Sequence, residues 1–382
     1  MESLGYTMSR ISFSRRVLLL CLATTLLNPA FGTPACEFPA IFNFGDSNSD
    51  TGGIAAAFLA PPKPYGQTYF ERPSGRVSDG RLIIDFVAQN FGLPHLSAYL
   101  NSLGVNFTHG ANFATAGSSI KPPPCGDQFS PFFLDLQFNQ FTEFKNKTQF
   151  IRRQGGIFGS LIPKEKHFVK ALYTFDIGQN DLGAAIHGNK TLQEIKASIP
   201  DTVNSFSANV KNIYNLGARY FWIHNTGPIG CLPYTLVRIS GQRDESGCVK
   251  PYNELAQYFN YKLKEAVVQL RKDLPHAVIT YVDIYSAKYS LISNAKKYGF
   301  EEPIVACCGY GGEYNYGIVQ CGRTKMVNGT EIYAGSCEKP SVRVNWDGIH
   351  YTEAANKFIF DQISTGAFSD PPVPLNMACH RH

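Results

Sequence analysis

FNFGDSNSDTGG, residues Phe42 to Gly53, sets an aspartate and a serine directly after a strand-like run and follows them with a nest of Asn, Asp, Thr and Gly. The run itself, AIFNFGD (40–46), is short, apolar and of the length that fills a buried strand. A surface turn draws on the same residue types, because Asn, Asp and Gly tolerate the backbone angles that turns require. What separates a turn from a site is the company that Asp46 and Ser47 keep along the rest of the chain.

That company is an alternation of strand-like and helical patterns. RLIIDFVAQNFG (81–92) has the apolar spacing of an amphipathic helix ended by Gly92, and VNFTHGANFATAGSS (105–119) reads as a strand and turn. FLDLQFNQFTEFKNKTQFI (133–151) reads as a long helix, and ALYTFDIGQND (171–181) as a strand emptying into a polar loop. A helix over 193–216, the strand RYFWIHN (219–225), the turn TGPIGCLP (226–233) and a helix over 252–272 follow. The strand HAVITYVDIY (276–285) and the helix TEAANKFIFDQIST (352–365) complete the pattern. Alternation of this kind predicts a largely parallel sheet covered on both faces. Ligands of such sheets bind beyond the carboxyl ends of the strands.

Three polar motifs fall at strand ends: Gly45-Asp46-Ser47, Gly178-Gln179-Asn180-Asp181, and NWDGIHYT (345–352) before the last helix. Acyl transfer by serine needs a base for the hydroxyl proton and a carboxylate that fixes the base's tautomer. Asp347 and His350, at i and i+3, can share one turn, so that one imidazole nitrogen meets the carboxylate and the other faces Ser47. The oxyanion also needs donors; the Ser47 N–H, an N–H near Gly117 and the Asn180 amide are the candidates. Each motif alone is more often a turn, and together they favour catalysis.

The ends of the chain carry different information. Arg10, Arg15 and Arg16, the mostly apolar run Val17–Leu27, and the small residues Ala30 and Gly32 have the grammar of a secretory signal peptide, here residues 1–32. The run is too short to span a bilayer, which takes about 20 residues, and no later run is long enough. Residues 33–382 are expected to form one domain, since no linker, charge run or repeat divides them. Removing three Arg and one Glu with the leader takes the formal net charge from +5 to +3, with charges scattered, which gives no case for nucleic acid. Nine cysteines remain, at 36, 125, 231, 248, 307, 308, 321, 337 and 379, a number that suits an oxidising compartment and leaves at least one thiol unpaired or in an intermolecular bond. Cys231–Cys248 is expected as one bridge, with at least one more among Cys307, Cys308, Cys321 and Cys337. Sequons at Asn106, Asn146, Asn189 and Asn328 agree with secretion to the extracellular space or cell wall. No CxxC or HxxxH pair supports zinc, and the C-terminal CHRH is too short for a metal site.

GDSNSDTGG, GANFATAGSS, GQND and WDGIHYT, in this order and approximate spacing, resemble the four conserved blocks of the GDSL family of serine esterases and lipases. The resemblance covers essentially the whole mature chain and is closest to the plant secreted, early-nodulin-like branch; GARYFWIHNTGPIGCLP and CCGYGG are further matches. It implies a flavodoxin-like α/β/α sandwich (the SGNH hydrolase fold) on a mainly parallel, five-stranded sheet. It implies Ser47 as nucleophile, His350 as base, Asp347 as its partner, and an oxyanion hole from Ser47, Gly117 and Asn180. No cofactor is implied. Tyr351 stands where many relatives have Pro, a departure expected to narrow the entrance.

An α/β-hydrolase would show a GxSxG elbow, and Gly45-Asp46-Ser47-Asn48-Ser49 breaks that pattern. A glycosidase would pair two carboxylates, Asp46 with Asp50 or Asp181. A secreted binding or defence protein with a vestigial triad is the remaining class, and every catalytic residue type is intact. The expected substrate is a short-chain or acetyl ester of a plant metabolite or glycan, with acyl transfer to an alcohol as the alternative. Trp346 reads as a packing residue, His224 as a satisfied buried or strand-end histidine, and Arg152, Arg153, Lys164, Lys166 and Lys170 as a solvated surface. Tyr310, Tyr314 and Tyr316 are candidates to line an acyl or leaving-group pocket.

Overall fold

In the computed structural model, residues 34–122, 130–187 and 190–381 are described, without the side chains of 184–187. Contacts divide the chain into residues 1–36 and 37–382, and the architecture below belongs to the second unit. The leader expected over 1–32, and the sequon at Asn189, lie outside the described residues.

Five strands form the centre: β1 (Ile41–Gly45), β2 (Gly110–Asn112), β3 (Leu172–Asp176), β4 (Tyr220–His224) and β5 (Val278–Val282). They run parallel in the order β2-β1-β3-β4-β5. This is the doubly wound order 2-1-3-4-5, which puts a switch point at β1 and β3, at whose carboxyl ends ligands bind. The GDS motif follows β1. Two minor sheets come next in sequence, β6 (Glu301–Ala306) paired with β9 (Arg343–Asn345), and the hairpin β7 (Thr324–Val327) with β8 (Thr330–Tyr333). A sixth strand, β10 (Ser369–Asp370), joins the main sheet antiparallel to β5. The five-stranded parallel sheet expected from the motifs is thus extended by an edge pair too short to carry any hydrophobic period.

The helices are α1 (Gly53–Ala57), α2 (Ile83–Asn90), α3 (Leu134–Gln154), α4 (Glu165–Lys170), α5 (Gln179–His187), α6 (Leu192–Asn215), α7 (Pro233–Arg238), α8 (Lys250–Asp273), α9 (Ile284–Ser293) and α10 (Glu353–Ile363). Residue types place their ends. Thr191 and Glu194 form a reciprocal capping box at α6, and Thr352 accepts from Ala355 N at the start of α10. GQND does not open a loop: Gly178, at φ +123°, makes the turn, and Gln179 already starts α5.

Successive side chains of a strand point to opposite faces. One face of the sheet carries Phe42, Phe44, Tyr173, Phe175, Phe221 and Ile223, which pack with Phe141, Phe206 and Phe259 of α3, α6 and α8. Phe44 stacks between Phe113 and Phe175 at 5.3 and 5.1 Å. On the other face α2, α9 and α10 pack together, with Phe86 stacked on Phe360. There the strands carry polar groups as well. Thr174 Oγ1 donates to Asn43 Oδ1, and Asn43 Nδ2 to Asn112 Oδ1, both at 2.7 Å; Asn112 Nδ2 donates to Ser49 O at 2.7 Å. This buried ladder ties three central strands to the loop that carries Ser47. From the apolar face, Gln137 brackets Gly45, donating to its carbonyl at 2.8 Å and accepting from its N–H at 2.9 Å.

All eight cysteines among the described residues are disulfide-bonded. Cys231–Cys248 is present, and the second group forms two bridges, Cys307–Cys337 and Cys308–Cys321. Their backbones hold the strand leading to Asp347: Cys307 N donates to Asn345 O at 3.0 Å and Cys308 N to Trp346 O at 2.6 Å. Trp346 is buried against Cys307, Cys308 and Cys321, a packing residue. Arg152 is not simply solvated; it donates to Ile162 O and Pro163 O at 2.7 Å. Asn106, Asn146 and Asn328 are exposed. No helix among the described residues is long and apolar enough to cross a membrane.

Closing a loop of this length constrains the unfolded chain. Replacing Cys308 and Cys321, 13 residues apart, by Ser is expected to lower unfolding free energy by about 3 kcal/mol in urea titration.

Candidate active site

Gly45 ends β1 in a place no larger residue fits, since a Cβ would lie 2.5 Å from both Asp176 O and Ser49 Oγ. The chain then turns. Asp46 Oδ1 accepts from Asn48 N at 2.9 Å and Asn48 Nδ2 at 3.0 Å, an Asx turn that leaves Ser47 at its apex. Asp50 accepts from Gly52 N, Gly53 N and Ile54 N, capping α1, and from Ala116 N of the Gly117 segment at 2.8 Å. The aspartates of the GDSNSD nest are thus consumed in shaping two loops.

From the far end of the chain, His350 Nε2 meets Ser47 Oγ at 2.7 Å. Its Nδ1 lies 2.8 and 3.0 Å from the two Asp347 oxygens. This places a proton on Nδ1 and leaves Nε2 to accept from the hydroxyl. Asp347 is fixed in turn by the N–H groups of Ile349 and His350 and by the Tyr65 hydroxyl, which donates at 2.9 Å. Burial pushes the Asp347 carboxyl up, but the imidazole and these backbone donors outweigh it and hold the group below its usual range. Trp346 N closes the turn on His350 O at 2.7 Å. Gly348, at φ +101°, is required twice: L-residues avoid that angle, and a Cβ would overlap the Tyr316 ring.

Hydrogen bonds knit the remaining motifs to this pair. Asn180 Nδ2 donates to Ser118 O at 2.8 Å, which uses one of its two amide protons. Asp181 accepts from Ile120 N and Lys121 N, and burial raises its carboxyl to about 6 against those donors. Gln179 Oε1 accepts from Asn48 Nδ2 at 3.4 Å. The N–H groups of Ser47 and Gly117 donate to no acceptor among the described residues. Two free N–H groups on adjoining loops and one free amide proton from the first turn of α5 are the donor set that a developing oxyanion needs.

Tyr351 does not narrow an entrance; it is buried, with the Lys288 ammonium 4.5 Å from its ring centroid. Tyr316 is buried beneath the Asp347 turn and packs edge-on against Tyr234, while Tyr310 is 39% exposed. His224 is a strand-end histidine whose Nδ1 meets Asp176 Oδ2 at 3.1 Å. Cys379 is disulfide-bonded, so CHRH offers no thiolate. Tyr65, Asp176 and Lys288 were not candidates from sequence. Tyr65 and Lys288 lie in segments without a motif, Asp176 falls two residues before GQND, and only the packing brings them to the site.

A family model, GDSL-like Lipase/Acylhydrolase, matches residues 41–363. An esterase of Hevea brasiliensis is 62% identical over 96% of this chain and 95% of its own. GDSL esterase/lipase ENOD8 of Medicago truncatula is 60% identical over 98% of this chain and 99% of its own. Alpha-L-fucosidase 3 of Arabidopsis thaliana is 51% identical over 93% and 95%. With Ser47, His350 and Asp347 in hydrogen-bonded sequence and a family match across most of its length, this chain belongs to the GDSL-like lipase/acylhydrolase family.

Proposed function

We propose that the protein is a secreted carboxylic ester hydrolase working through an acyl-enzyme on Ser47. The observation that carries this is the continuous chain from Ser47 Oγ through the His350 ring to Asp347, with contacts of 2.7 and 2.8 Å. Ser47 Oγ attacks the ester carbonyl as His350 Nε2 takes its proton, and Asp347 stabilises the imidazolium. Negative charge on the carbonyl oxygen is met by the Ser47 and Gly117 N–H groups and the Asn180 amide. The imidazolium then protonates the leaving alcohol. Water, deprotonated by His350, releases the acid in a second, mirrored step.

Ser47 and His350 are only 6% and 8% exposed, which favours a small acyl group, with acetyl or short-chain esters of plant metabolites or glycans as the substrate class. Eight disulfide-bonded cysteines, a leader-like N-terminus over residues 1–32 and exposed sequons support an extracellular or cell-wall setting for one catalytic domain over 33–382. A glycosidic mechanism, raised by the name of one relative, needs two free carboxylates. Asp50 and Asp181 each accept from backbone N–H groups, and Asp46 is fully buried. That leaves no free pair among them, so ester hydrolysis is the better reading.

Ser47→Ala is expected to cost roughly 10³-fold or more in kcat on p-nitrophenyl acetate. The same assay run from acetate to palmitate should fall with chain length. Equal inactivity of both proteins on every ester would overturn the reading. Tyr65→Phe removes one donor to Asp347, and a hydrogen bond to a charged group is worth about 1.5–3 kcal/mol. It is expected to lower kcat about ten- to a hundredfold with KM little changed, read from steady-state kinetics.

A further inference from the structure

On the apolar face of the sheet, among the phenylalanines that fill it, one polar side chain of α3 is completely buried. Gln137 is 0% exposed and lies on the same helix stripe as Leu134, Phe141 and Phe144. A gap in the strand pairing explains it. Ile41 and Asn43 turn their backbone groups toward β2, where Ile41 N donates to His109 O at 3.0 Å and Phe113 N to Asn43 O at 2.8 Å. Gly45 is next on that edge, but the pairing of β1 with β2 ends at Asn43 and Asn112. Gln137 takes the missing place. Its Oε1 accepts from Gly45 N at 2.9 Å and its Nε2 donates to Gly45 O at 2.8 Å, as the backbone of a further strand residue would. A buried N–H without an acceptor is costly, which is the physical reason for an amide in an apolar stripe.

The same amide reaches the loop that carries Gly117. Nε2 also donates to Phe132 O at 3.2 Å, in the segment that backs this loop. A Cβ on Gly117 would lie 3.1 Å from Ser130 Cβ, and Leu134 N donates to Ser119 O at 3.0 Å. Gly45 O takes a second bond from Thr115 N at 3.2 Å, two residues before Gly117, and Gly45 itself stands two residues before Ser47. One side chain and one peptide unit thus join the serine's turn to the oxyanion donors. Acyl transfer needs nucleophile and donors placed around a single carbonyl, and a misplacement of about 1 Å can cost about a hundredfold in rate. We propose that Gln137 is a positioning residue of the ester hydrolase, its buried amide setting the Ser47 turn and the Gly117 loop at the separation that a tetrahedral intermediate requires. All of its hydrogen bonds among the described residues run to the backbone of Gly45 and Phe132. A protonated carboxyl of the same length offers the same acceptor and donor to Gly45, and gives up only the longer bond to Phe132 O. An ionised carboxylate offers acceptors alone and sets its charge against Gly45 O.

This inference rests on the ester-hydrolase reading, and the test separates the two. Steady-state kcat and KM on p-nitrophenyl acetate are measured across pH for wild type, Gln137→Met and Gln137→Glu, each below its own melting temperature. Gln137→Met, which removes donor and acceptor alike, should lose about a hundredfold in kcat with KM little changed and a ratio to wild type that is flat with pH. Burial raises a carboxyl's pKa, so the new acid in Gln137→Glu is protonated at low pH and ionises as the pH rises. Its kcat relative to wild type should therefore be close to one in acid and fall about tenfold or more in alkali, once the donor to Gly45 O is lost. A Gln137→Met protein that melts lower but keeps the wild-type kcat would overturn the proposal, as would a Gln137→Glu ratio that does not fall with pH. If Gln137→Met fails to fold, Gln137→Glu decides, and a Gln137→Glu protein unfolded even in acid also counts against the proposal. Without substrate, hydrogen exchange of the Gly45–Ser47 and Thr115–Gly117 amides, compared with wild type at each pH, should quicken in Gln137→Met throughout and in Gln137→Glu only in alkali. Should wild type hydrolyse no ester, the parent reading falls, while the exchange arm still decides whether Gln137 fixes the two loops.

Discussion

A single hydrogen bond, Ser47 Oγ to His350 Nε2 at 2.7 Å, joins residues 303 positions apart, and most of the polar structure exists to hold its two ends. On one side the Asn43–Thr174–Asn112 ladder, the Gln137 bracket and the Asp46 turn fix the end of β1. On the other, β9, the paired disulfides and the buried Trp346 fix the turn of Asp347 and His350. Neither end is held by hydrophobic packing alone. Apolar contacts are roughly non-directional, whereas a proton transfer needs heavy atoms within about 2.6–3.2 Å.

The carboxylates illustrate how one residue type serves separate ends. Asp347 stays ionised because its partners outweigh burial, Asp50 and Asp181 act as acceptors for backbone N–H groups, and Asp46 shapes the turn at Ser47. Each is buried, and each needs donors or a cation to remain so.

Much of this could be read along the chain. The residues of the proposed triad were legible because each follows a strand and carries local grammar: a Gly where no Cβ fits, Asn and Asp that turn the backbone, and a carboxylate three residues before its histidine. The parallel sheet was legible because β1 and β3 are buried throughout and read as short, mainly apolar runs, interrupted only by Asn43, Thr174 and Asp176. Other features left no local trace. Two residues, Ser369 and Asp370, cannot display a period, and GQND looks like a loop although helix α5 begins at its Gln179. Tyr351 next to the histidine suggested an entrance, but the register of the chain turned its ring inward beneath Lys288.

The sequence by itself thus determined the chemistry available, a serine, a histidine and an aspartate on the ends of parallel strands, because those signals are local and follow backbone period and turn preference. Tertiary structure decided what supports that chemistry. Tyr65 reaches Asp347 across 282 residues, and Lys288, buried on α9, comes to lie over the ring of Tyr351 beside His350. Such partners depend on helix packing and strand register, which no short stretch encodes, so a buried lysine or tyrosine looks ordinary until the fold places it beside an acid.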